Sequence, residues 1–559
     1  MKKHLVICLI FFCTWMHAQD TGAPLGSPAY HIVDRMSILH DSLCVIRPEV
    51  KFYARRDLAG FAIALDSSVA NLSRLDQADI DYLLRDNNEW VDSAARTYND
   101  KALLRFFYQS PANLFEMEVP HFYMRINPIL NLEVGQEQDN DLLLGANQRG
   151  IEVRGGVDEV VTFYTSVIES QARYPDYVYD HVEDYKAVPR VGFYKPFKRD
   201  GEPVEKVFDF NVANAYIGVQ ATKHIGIQFG HSKHFIGNGY RSLFLSDFGN
   251  YTFFLKFNTR VWKFQYQNLF MELSPTTPAA DAGGDDLLPK KYTAMHYLNF
   301  QASPRLSFGL YEATVFHRIN QFEFQYLNPI ILYRTVEGML GSPDNVLLGA
   351  DVRWNLFKRV QLYGQFFVDE LVFSELFAGD GWWGNKYGLQ AGAKYINAFG
   401  VDHLDLRGEM NAIRPYTYSH FDSLSSYTHY NQPLAHPLWA NFVEFIGIAR
   451  YQPTHRWTAT GRLMYAKVGD DPPGENWGTN PLLDYDSRVQ DYGNTIGQGI
   501  GATIALAGLD VGFQFYHNMY LDLKVLYRRK DSEDDNLDQN TLYVGAALRL
   551  NFWQPELDF

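Results

Sequence analysis

The stretch in the middle of the chain reads His403-Leu404-Asp405-Leu406-Arg407-Gly408-Glu409-Met410-Asn411. Every second residue is apolar or glycine, and the residues between them are polar or charged. Successive side chains of a β-strand point to opposite faces, so this alternation predicts a strand with one apolar and one ionic face.

The same alternation recurs from about residue 122 to the end of the chain. The apolar positions of four further strands are Ile225, Ile227 and Phe229; Trp262, Phe264 and Tyr266; Val360, Leu362, Phe366 and Val368; and Leu521, Leu523, Val525 and Tyr527. A soluble antiparallel sandwich gives the same pattern. The length of the repeated region and the start of the chain favour a closed antiparallel transmembrane β-barrel of the all-β membrane class, which removes every unpaired sheet edge from lipid.

The chain begins like a secreted protein. A positive start, Met1-Lys2-Lys3, precedes an apolar stretch from Leu5 to Phe12, and Met16-His17-Ala18 resembles a cleavage site. These features predict a signal peptide over residues 1–18, export, and an outer-membrane location. Removal of that segment leaves Cys44 as the one cysteine, so no internal disulfide is expected.

The composition agrees with a barrel in contact with outer-membrane lipid. Aromatic residues make up 15% of the chain, and the sequence after Phe12 has no long apolar run, which excludes a helical membrane protein. The net charge of −15 argues against nucleic acid as a partner, because phosphates would be repelled.

The chain divides into a mainly helical periplasmic segment over residues 19–118, a barrel over residues 119–552 and a tail over residues 553–559. Within the segment, a helix is predicted from Asp76, as its N-cap, through Leu84, and a second over Asp92–Tyr108. Long loops are predicted at Ser274–Lys290, Ala378–Asn385, Tyr416–His436, Gly469–Tyr492 and Asp531–Asn540. The final strand has one alternating face, with Leu542, Val544, Ala546, Leu548, Leu550 and Phe552, which is typical of the signal read by the barrel assembly machinery.

A glycine-rich stretch, Phe229 to Asp247, has two interpretations. It is a strand-loop-strand corner with an ion pair between Arg241 and Asp247, or a loop that folds into the lumen and contacts a glycan. His231, Ser232, His234 and Asp247 contain the residue types of a catalytic triad, but a triad is defined by geometry, and the pattern favours a polar loop.

Part of this stretch, Gly237-Asn238-Gly239-Tyr240-Arg241-Ser242-Leu243-Phe244-Leu245-Ser246-Asp247, resembles the Bacteroidetes branch of the Wzi capsule-assembly family, which includes gliding-motility proteins of the RemB type. Asn127-Pro128-Ile129-Leu130-Asn131, Lys223-His224 and Asn328-Pro329 extend the resemblance, which begins at about Phe106. It implies a monomeric barrel of about 18 strands, preceded by a small helical bundle, that binds extracellular polysaccharide at the surface or serves in motility.

Seven residues are candidates for polysaccharide binding or for lining the lumen. Lys223, Arg241, Lys256 and Lys263 are cations that could pair with acidic sugars, and Asp247 flanks Arg241. Trp382 and Trp383 could stack on sugar rings or anchor the barrel at the membrane interface. No catalytic residue, cofactor or metal site is predicted: paired cysteines and a His-Glu-x-x-His motif are both absent.

Two alternatives stay open at this point. The barrel could be a passive, porin-like diffusion channel and not a polysaccharide-binding protein. The acidic run from Asp531 to Asp538 could bind calcium, but it lacks the spaced glycine of an EF-hand loop, and the pattern favours a solvated external turn.

Overall fold

The computed structural model describes residues 21–92, 107–158, 160–200, 202–278, 287–318, 323–342, 344–553 and 557–559. The predicted signal peptide and most of the predicted helix over Asp92–Tyr108 lie outside the described residues. Among the residues described, no helix combines the length and the apolar character needed to cross a membrane.

The described chain has the following strands in order: β1 (Val50–Lys51), β2 (Phe115–Val119), β3 (Phe122–Glu137), β4 (Leu144–Val157), β5 (Val161–Arg173), β6 (Lys195–Arg199), β7 (Glu202–Gln220), β8 (Ile225–Ser232), β9 (Phe235–Ile236), β10 (Thr252–Val261), β11 (Phe264–Leu273), β12 (Lys291–Ser303), β13 (Leu306–His317), β14 (Asn345–Leu356), β15 (Val360–Glu370), β16 (Lys386–Tyr395), β17 (Leu404–Ile413), β18 (Thr428–His429), β19 (Gln432–Pro433), β20 (Phe442–Thr454), β21 (Trp457–Asp470), β22 (Ile500–Tyr516), β23 (Met519–Ser532) and β24 (Gln539–Leu550). Eighteen of them form the barrel wall; β1, β2, β6, β9, β18 and β19 are short accessory strands.

The helices are α1 (Pro28–Leu39), α2 (Arg55–Ser68), α3 (Arg74–Asp86), α4 (Asp176–Tyr185), α5 (Tyr333–Leu340) and α6 (Phe373–Ala378). The helix predicted from Asp76 is present as α3, but its N-cap is Ser73. The Ser73 hydroxyl accepts from the Asp76 N–H, and the Asp76 carboxylate accepts from the Ser73 N–H. Asp76 is therefore the third residue of the helix and the second partner of a capping box, which satisfies two N–H groups at the helix start.

The wall closes by pairing its last strand with its first. β24 runs antiparallel to β3, with Gly545 opposite Gly135, so the closed antiparallel barrel of 18 strands is confirmed. Short turns join strands at one end, several of them with a residue in the left-handed region, such as Asp158 (φ 51°) and Asn518 (φ 56°). Longer connections lie at the other end, including the five predicted from the sequence.

The alternation in the sequence corresponds to the two faces of the wall. In β17, Asp405, Glu409 and Asn411 are buried in the lumen while Gly408 is exposed on the outside. In β24, Val544 and Leu548 are exposed outward. Hydrocarbon contact accounts for these exposed apolar positions, because the outer face of such a barrel lies in the bilayer.

The sequence predicted that the outward face of the final strand continues to Phe552, which is two residues beyond the observed end of the strand. β24 ends at Leu550, and Asn551 has a positive φ of 48°. This left-handed residue turns the chain inward, so Phe552 is buried in the interior and does not continue the outer face. The tail residues Leu557–Phe559 also lie in the lumen, where Phe559 contacts the rings of Tyr177 and Phe248.

The N-terminal segment, residues 21–92, packs as three helices against the end of the barrel that carries the short turns. Its own apolar core contains Val33, Phe61, Leu65, Ile80 and Leu83. Arg35 of α1 donates to Asp405 (2.6 Å) at the start of β17, and Asp86 accepts from Asn518 (3.0 Å) in a short turn. Outer-membrane barrels have short periplasmic turns and longer external loops, so the short-turn end is the periplasmic end and the long loops are external.

One external connection folds over the outside of the wall. The described part of this outer-wall loop, residues 323–342, contains α5 and covers outward positions of β11 to β13 that would otherwise face lipid. Asn268, His296, Glu312 and Thr314 are buried beneath it, and Glu312 accepts from the backbone N–H of Tyr333 (2.8 Å). The loop's own outer surface is apolar. At least two-thirds of the residue surface is exposed in Phe324, Ile330, Leu332 and Met339.

The outer-wall loop reaches far down the barrel. The Pro329 carbonyl accepts from Tyr266 Oη (2.6 Å) and from the Asn268 amide (2.9 Å). Tyr266 is the third residue of β11 above its periplasmic turn. The loop therefore occupies the depth at which the neighbouring strands contact hydrocarbon.

Candidate functional site

The external loops carry an aromatic patch, which we define as Trp382, Trp383, Phe421 and Tyr485. Trp383 and Tyr485 have ring centroids 4.8 Å apart, and Phe421 lies 6.3 Å from Tyr485. The Arg488 guanidinium sits 4.1 Å from the centre of the Trp383 ring. Such a cation over an indole face is attracted by the ring quadrupole and fixes the ring orientation.

Two loops that are far apart in sequence hold the patch together. The Trp383 N–H donates to the Asp491 carbonyl (2.9 Å), and the Asn494 N–H donates to the Gly381 carbonyl (2.9 Å). Gly381 has φ 68°, and a Cβ there would lie 2.7 Å from the Asn494 nitrogen. Only glycine fits this approach, so Gly381 permits the contact between the two loops.

A buried lysine supports the patch from below. Lys386 Nζ lies 4.6 Å from the centre of the Tyr485 ring and 3.3 Å from the Asp369 carboxylate. His420 contacts Phe421, with centroids 4.4 Å apart. Burial, together with Lys386, lowers the pKa of His420, so its imidazole is neutral at pH 7. The patch thus presents partly exposed ring faces with the Arg488 charge beside them, a combination suited to sugar rings and acidic groups.

The glycine-rich stretch forms a loop that enters the lumen, which we call the inward loop, residues 233–251. Phe244 stacks on Tyr311 of the wall with centroids 4.7 Å apart. The Leu243 carbonyl accepts from Tyr418 Oη (2.9 Å), and the Phe244 carbonyl accepts from Tyr427 Oη (2.7 Å). Of the two interpretations from the sequence, the inward fold is therefore the observed one.

Arg241 and Asp247 do not pair with each other, contrary to the ion pair expected within the corner. The Arg241 guanidinium pairs with Glu444 (3.3 Å) and Asp558 (3.2 Å), and the Arg241 backbone N–H donates to the Glu409 carboxylate (2.9 Å). Asp247 pairs with Arg190 (3.5 Å) from the loop that follows α4. The inward path of the loop separates the two side chains and gives each a partner from a distant part of the chain.

The inward loop meets the N-terminal segment inside the barrel. β9 pairs with β1, with Ile236 opposite Val50, and the Gly237 N–H donates to the Glu49 carbonyl (2.8 Å). Glu49 itself is buried and pairs with Arg353 of the wall (2.6 Å). A two-stranded ribbon therefore joins a periplasmic element to an external one through the lumen.

An ionic network fixes the N-terminal segment to the periplasmic turns. Arg35, fully buried, contacts Asp405, Asp76 (3.2 Å) and His403 Nδ1 (3.3 Å). Asp76, Asp402 and His403 lie close enough together to resemble a metal site. Arg35 already supplies the positive charge that these groups need, so the cluster is explained as an ion-pair network.

The structure distributes the seven predicted residues over three places. Lys223 is exposed in a periplasmic turn, and Lys263 donates to the Ala302 carbonyl (2.8 Å) in another. Arg241, Asp247 and Lys256 lie in the lumen, where Lys256 Nζ is 4.2 Å from the centre of the Phe52 ring. Trp382 and Trp383 are in the external patch. The predicted residues therefore do not form one site.

Phe421, Tyr485 and Arg488 were not singled out from the sequence. Each lies in a loop predicted as long and external, but nothing local marks them as neighbours of Trp383. Roughly a hundred residues separate Trp383 from Tyr485 in the sequence, and the pairing of the intervening wall strands brings their loops together.

Two solved structures are similar to this chain. Wzi of Escherichia coli, described as an outer membrane protein involved in group 1 capsule assembly and as a carbohydrate-binding β-barrel, aligns with a TM-score of 0.58 and 12% identity over 96% of this chain and 100% of that chain. OprD of Pseudomonas aeruginosa aligns with a TM-score of 0.42 and 11% identity over 76% of this chain and 95% of that chain.

At these identities the likeness concerns the fold. No protein-family model and no curated protein matches the chain by sequence. The closed antiparallel barrel, with apolar side chains exposed along its outer face, confirms the predicted outer-membrane location.

Proposed function

We propose that this chain is a non-enzymatic outer-membrane protein whose external loops bind surface polysaccharide. The observation that carries the proposal is the aromatic patch, in which Trp383 and Tyr485 are held in place by Arg488 at the outer end of the barrel. Partly exposed rings with an adjacent guanidinium match the apolar face and the acidic groups of a sugar polymer. The carbohydrate-binding description of the Escherichia coli protein with the same fold agrees with this assignment.

Two biological settings fit such a protein: assembly or attachment of a capsule, and cell-surface gliding motility of the RemB type in the Bacteroidetes branch suggested by the sequence motifs. In either setting the protein acts as a monomer that the barrel assembly machinery inserts. Of the residues predicted from the sequence, we assign polymer contact to Trp382 and Trp383 and a lumen-lining role to Arg241, Asp247 and Lys256. Lys223 and Lys263 lie in periplasmic turns, so we assign them no contact with polysaccharide at the cell surface.

The test compares tryptophans at opposite ends of the barrel. Trp383→Ala combined with Tyr485→Ala removes the stacked pair, and we expect the affinity of the purified protein for the host's surface polysaccharide to fall about tenfold, which corresponds to about 1.4 kcal/mol. Trp262→Ala is the matched control, because Trp262 is 74% exposed but lies in a periplasmic turn. Equal affinity of the double variant and the Trp262→Ala control would contradict the proposed site.

The second candidate function is a passive diffusion channel. The periplasmic half of the lumen contains two connected spaces of about 920 and 470 Å³. Many of their lining residues are charged, which favours a water-filled interior. The inward loop and the N-terminal segment oppose it, since they meet in the lumen. Single-channel recordings of the complete protein in planar bilayers decide between the two: a polysaccharide-binding barrel with a filled lumen gives no steady conductance, whereas a channel does.

A further inference from the structure

A cavity of about 470 Å³ lies in the lumen between the N-terminal segment and the wall. We call it the lumen cavity. Its volume falls in the range of small-molecule sites. It adjoins the wider space of about 920 Å³, with which it shares Arg450, Asp510, Arg549 and Trp553 as lining residues. That wider space extends to the exposed periplasmic turn at His455, so the lumen cavity is reached from the periplasm.

The charges around one aspartate in the lumen cavity do not balance. Lys394 Nζ (2.9 Å) and Arg407 (2.8 Å) both bind the same oxygen of Asp34. Lys51 faces the same space, where it contacts the rings of Tyr30 and Phe235. Among the residues that the structure describes, no carboxylate lies within 4 Å of the Lys51 ammonium. Three cations thus surround a single carboxylate.

Nearby carboxylates are already engaged elsewhere. Asp405 binds Arg35, and Glu409 accepts from the backbone of the inward loop and from Tyr363. Asp247 pairs with Arg190. Arg450, which lines both spaces, has the Gln452 amide as its hydrogen-bond partner (3.4 Å). An excess of positive charge in a partly desolvated space is costly, and a bound anion removes that cost.

The protonation of the N-terminal groups agrees with this excess. Although burial raises it, Lys394 and Arg407 bring the pKa of Asp34 well below its ordinary range. Burial, with Arg407 nearby, lowers the pKa of Lys51 even though Asp34 acts in the opposite direction. Asp34 therefore carries its full charge and still does not satisfy the three cations.

We propose that the lumen cavity binds the anionic group of a small ligand, a carboxylate or a phosphate, through Lys51, Lys394 and Arg407, and that the ligand enters from the periplasm. The fork of Arg407 and the ammonium groups of the two lysines suit a planar carboxylate or a phosphate equally. Tyr240, Phe248 and Trp553 supply apolar lining for the rest of the ligand. This site lies inside the barrel, apart from the external aromatic patch, and does not depend on the function proposed for that patch.

Calorimetric titration of the complete protein in detergent tests the proposal with three probes: galacturonate, galactose and inorganic phosphate. Galacturonate and galactose differ in their charge at one carbon, so galacturonate is expected to bind and galactose is not. Binding of galacturonate alone identifies a sugar acid, binding of phosphate alone identifies a phosphorylated ligand, and binding of both identifies the anion itself as the determinant. All three results support the site.

Two substitutions with opposite effects exclude a purely structural explanation. Lys51→Met keeps the chain length but removes a charge, and should weaken binding of the anionic probe about tenfold. Asp34→Asn removes the competing carboxylate and should strengthen it. Lys223→Met, in an exposed periplasmic turn, controls for general electrostatic attraction and should change nothing. Failure of both anionic probes to bind, or unchanged affinity in Lys51→Met and Asp34→Asn barrels that retain their folded electrophoretic mobility, overturns the proposal.

Discussion

At the scale of residues, the interior of the barrel is organised by buried charges whose partners come from distant parts of the chain. Arg241 joins the inward loop to Glu444 of the wall and to Asp558 of the tail, and Arg35 joins α1 to Asp405. Strand alternation in the sequence placed wall residues such as Asp405 and Glu409 on the ionic face of β17. It did not indicate their partners, because pairing depends on where loops and tail enter the lumen.

Cys44 gives a residue-scale prediction about the N-terminal segment. Burial raises the pKa of its thiol to about 11. Because the thiolate is the reactive form, and an ordinary thiol has a pKa of about 8.5, alkylation at pH 8 should be about 200-fold slower in the folded protein than in urea. Mass spectrometry after timed exposure to iodoacetamide measures the rate.

The matched control places a cysteine on the exposed face of α2. Ser67→Cys in a Cys44→Ser background should react at nearly the same rate in folded and unfolded protein, since Ser67 is exposed. If the native Cys44 thiol reacted as fast as the Ser67→Cys thiol, the segment would not be packed as described.

At the scale of elements, the wall strands were predictable and the loops were not. Alternation needs only local sequence, and it located the inward and outward faces of β17 and β24 correctly. The outer-wall loop was missed because its apolar residues alternate with no fixed period. Its position depends instead on polar wall residues, such as His296 and Glu312, whose outward orientation appears only once the strand register is known.

The outer-wall loop should lie in hydrocarbon. Ile330 is 83% exposed on its outer surface. An environment-sensitive dye on Ile330→Cys, in a Cys44→Ser background and in lipid vesicles, should therefore emit as it does in an apolar solvent. Leu287→Cys is the control, because Leu287 is 94% exposed in an external loop and its dye should report water.

The same position allows an energetic check. Ile330→Arg should lower the free energy of unfolding in bilayers by about 1 kcal/mol, because a cation on the lipid face is destabilising by an amount that grows from the interface to mid-depth. Leu287→Arg should have little effect. Water-like emission at residue 330, or equal stability of the two arginine variants, would contradict a loop inserted in the membrane.

At the scale of the whole molecule, the closed wall follows from the requirement that every backbone N–H and C=O at membrane depth be paired. The sequence predicted this wall, its orientation and the helical segment before it. The filled lumen was only partly foreseen. The inward loop was one of two interpretations, whereas the return of Phe559 into the barrel and the β1–β9 ribbon have no local signature.

Removal of the N-terminal segment tests the filled lumen. A variant that lacks residues 21–92 loses β1 and the helices at the periplasmic end, and the inward loop loses its ribbon partner. We expect this variant to conduct ions in planar bilayers while the complete protein does not. Resistance of the folded variant to unfolding in SDS at room temperature confirms that the wall has formed, and a silent but folded variant would show that the external loops alone close the lumen.

The ribbon between Val50–Lys51 and Phe235–Ile236 also constrains biogenesis. Residues 21–92 emerge from the export channel before any wall strand, whereas β24, the strand that seals the cylinder against β3, emerges almost last. If the barrel closed first, the folded N-terminal segment would have to enter the lumen afterwards. Its strand β1 would then have to reach β9 of the inward loop, which enters from the external end. In the simpler order, the wall strands assemble around the N-terminal segment and the inward loop. Pairing of β24 with β3 is then the last step of folding, and it encloses both elements in the lumen.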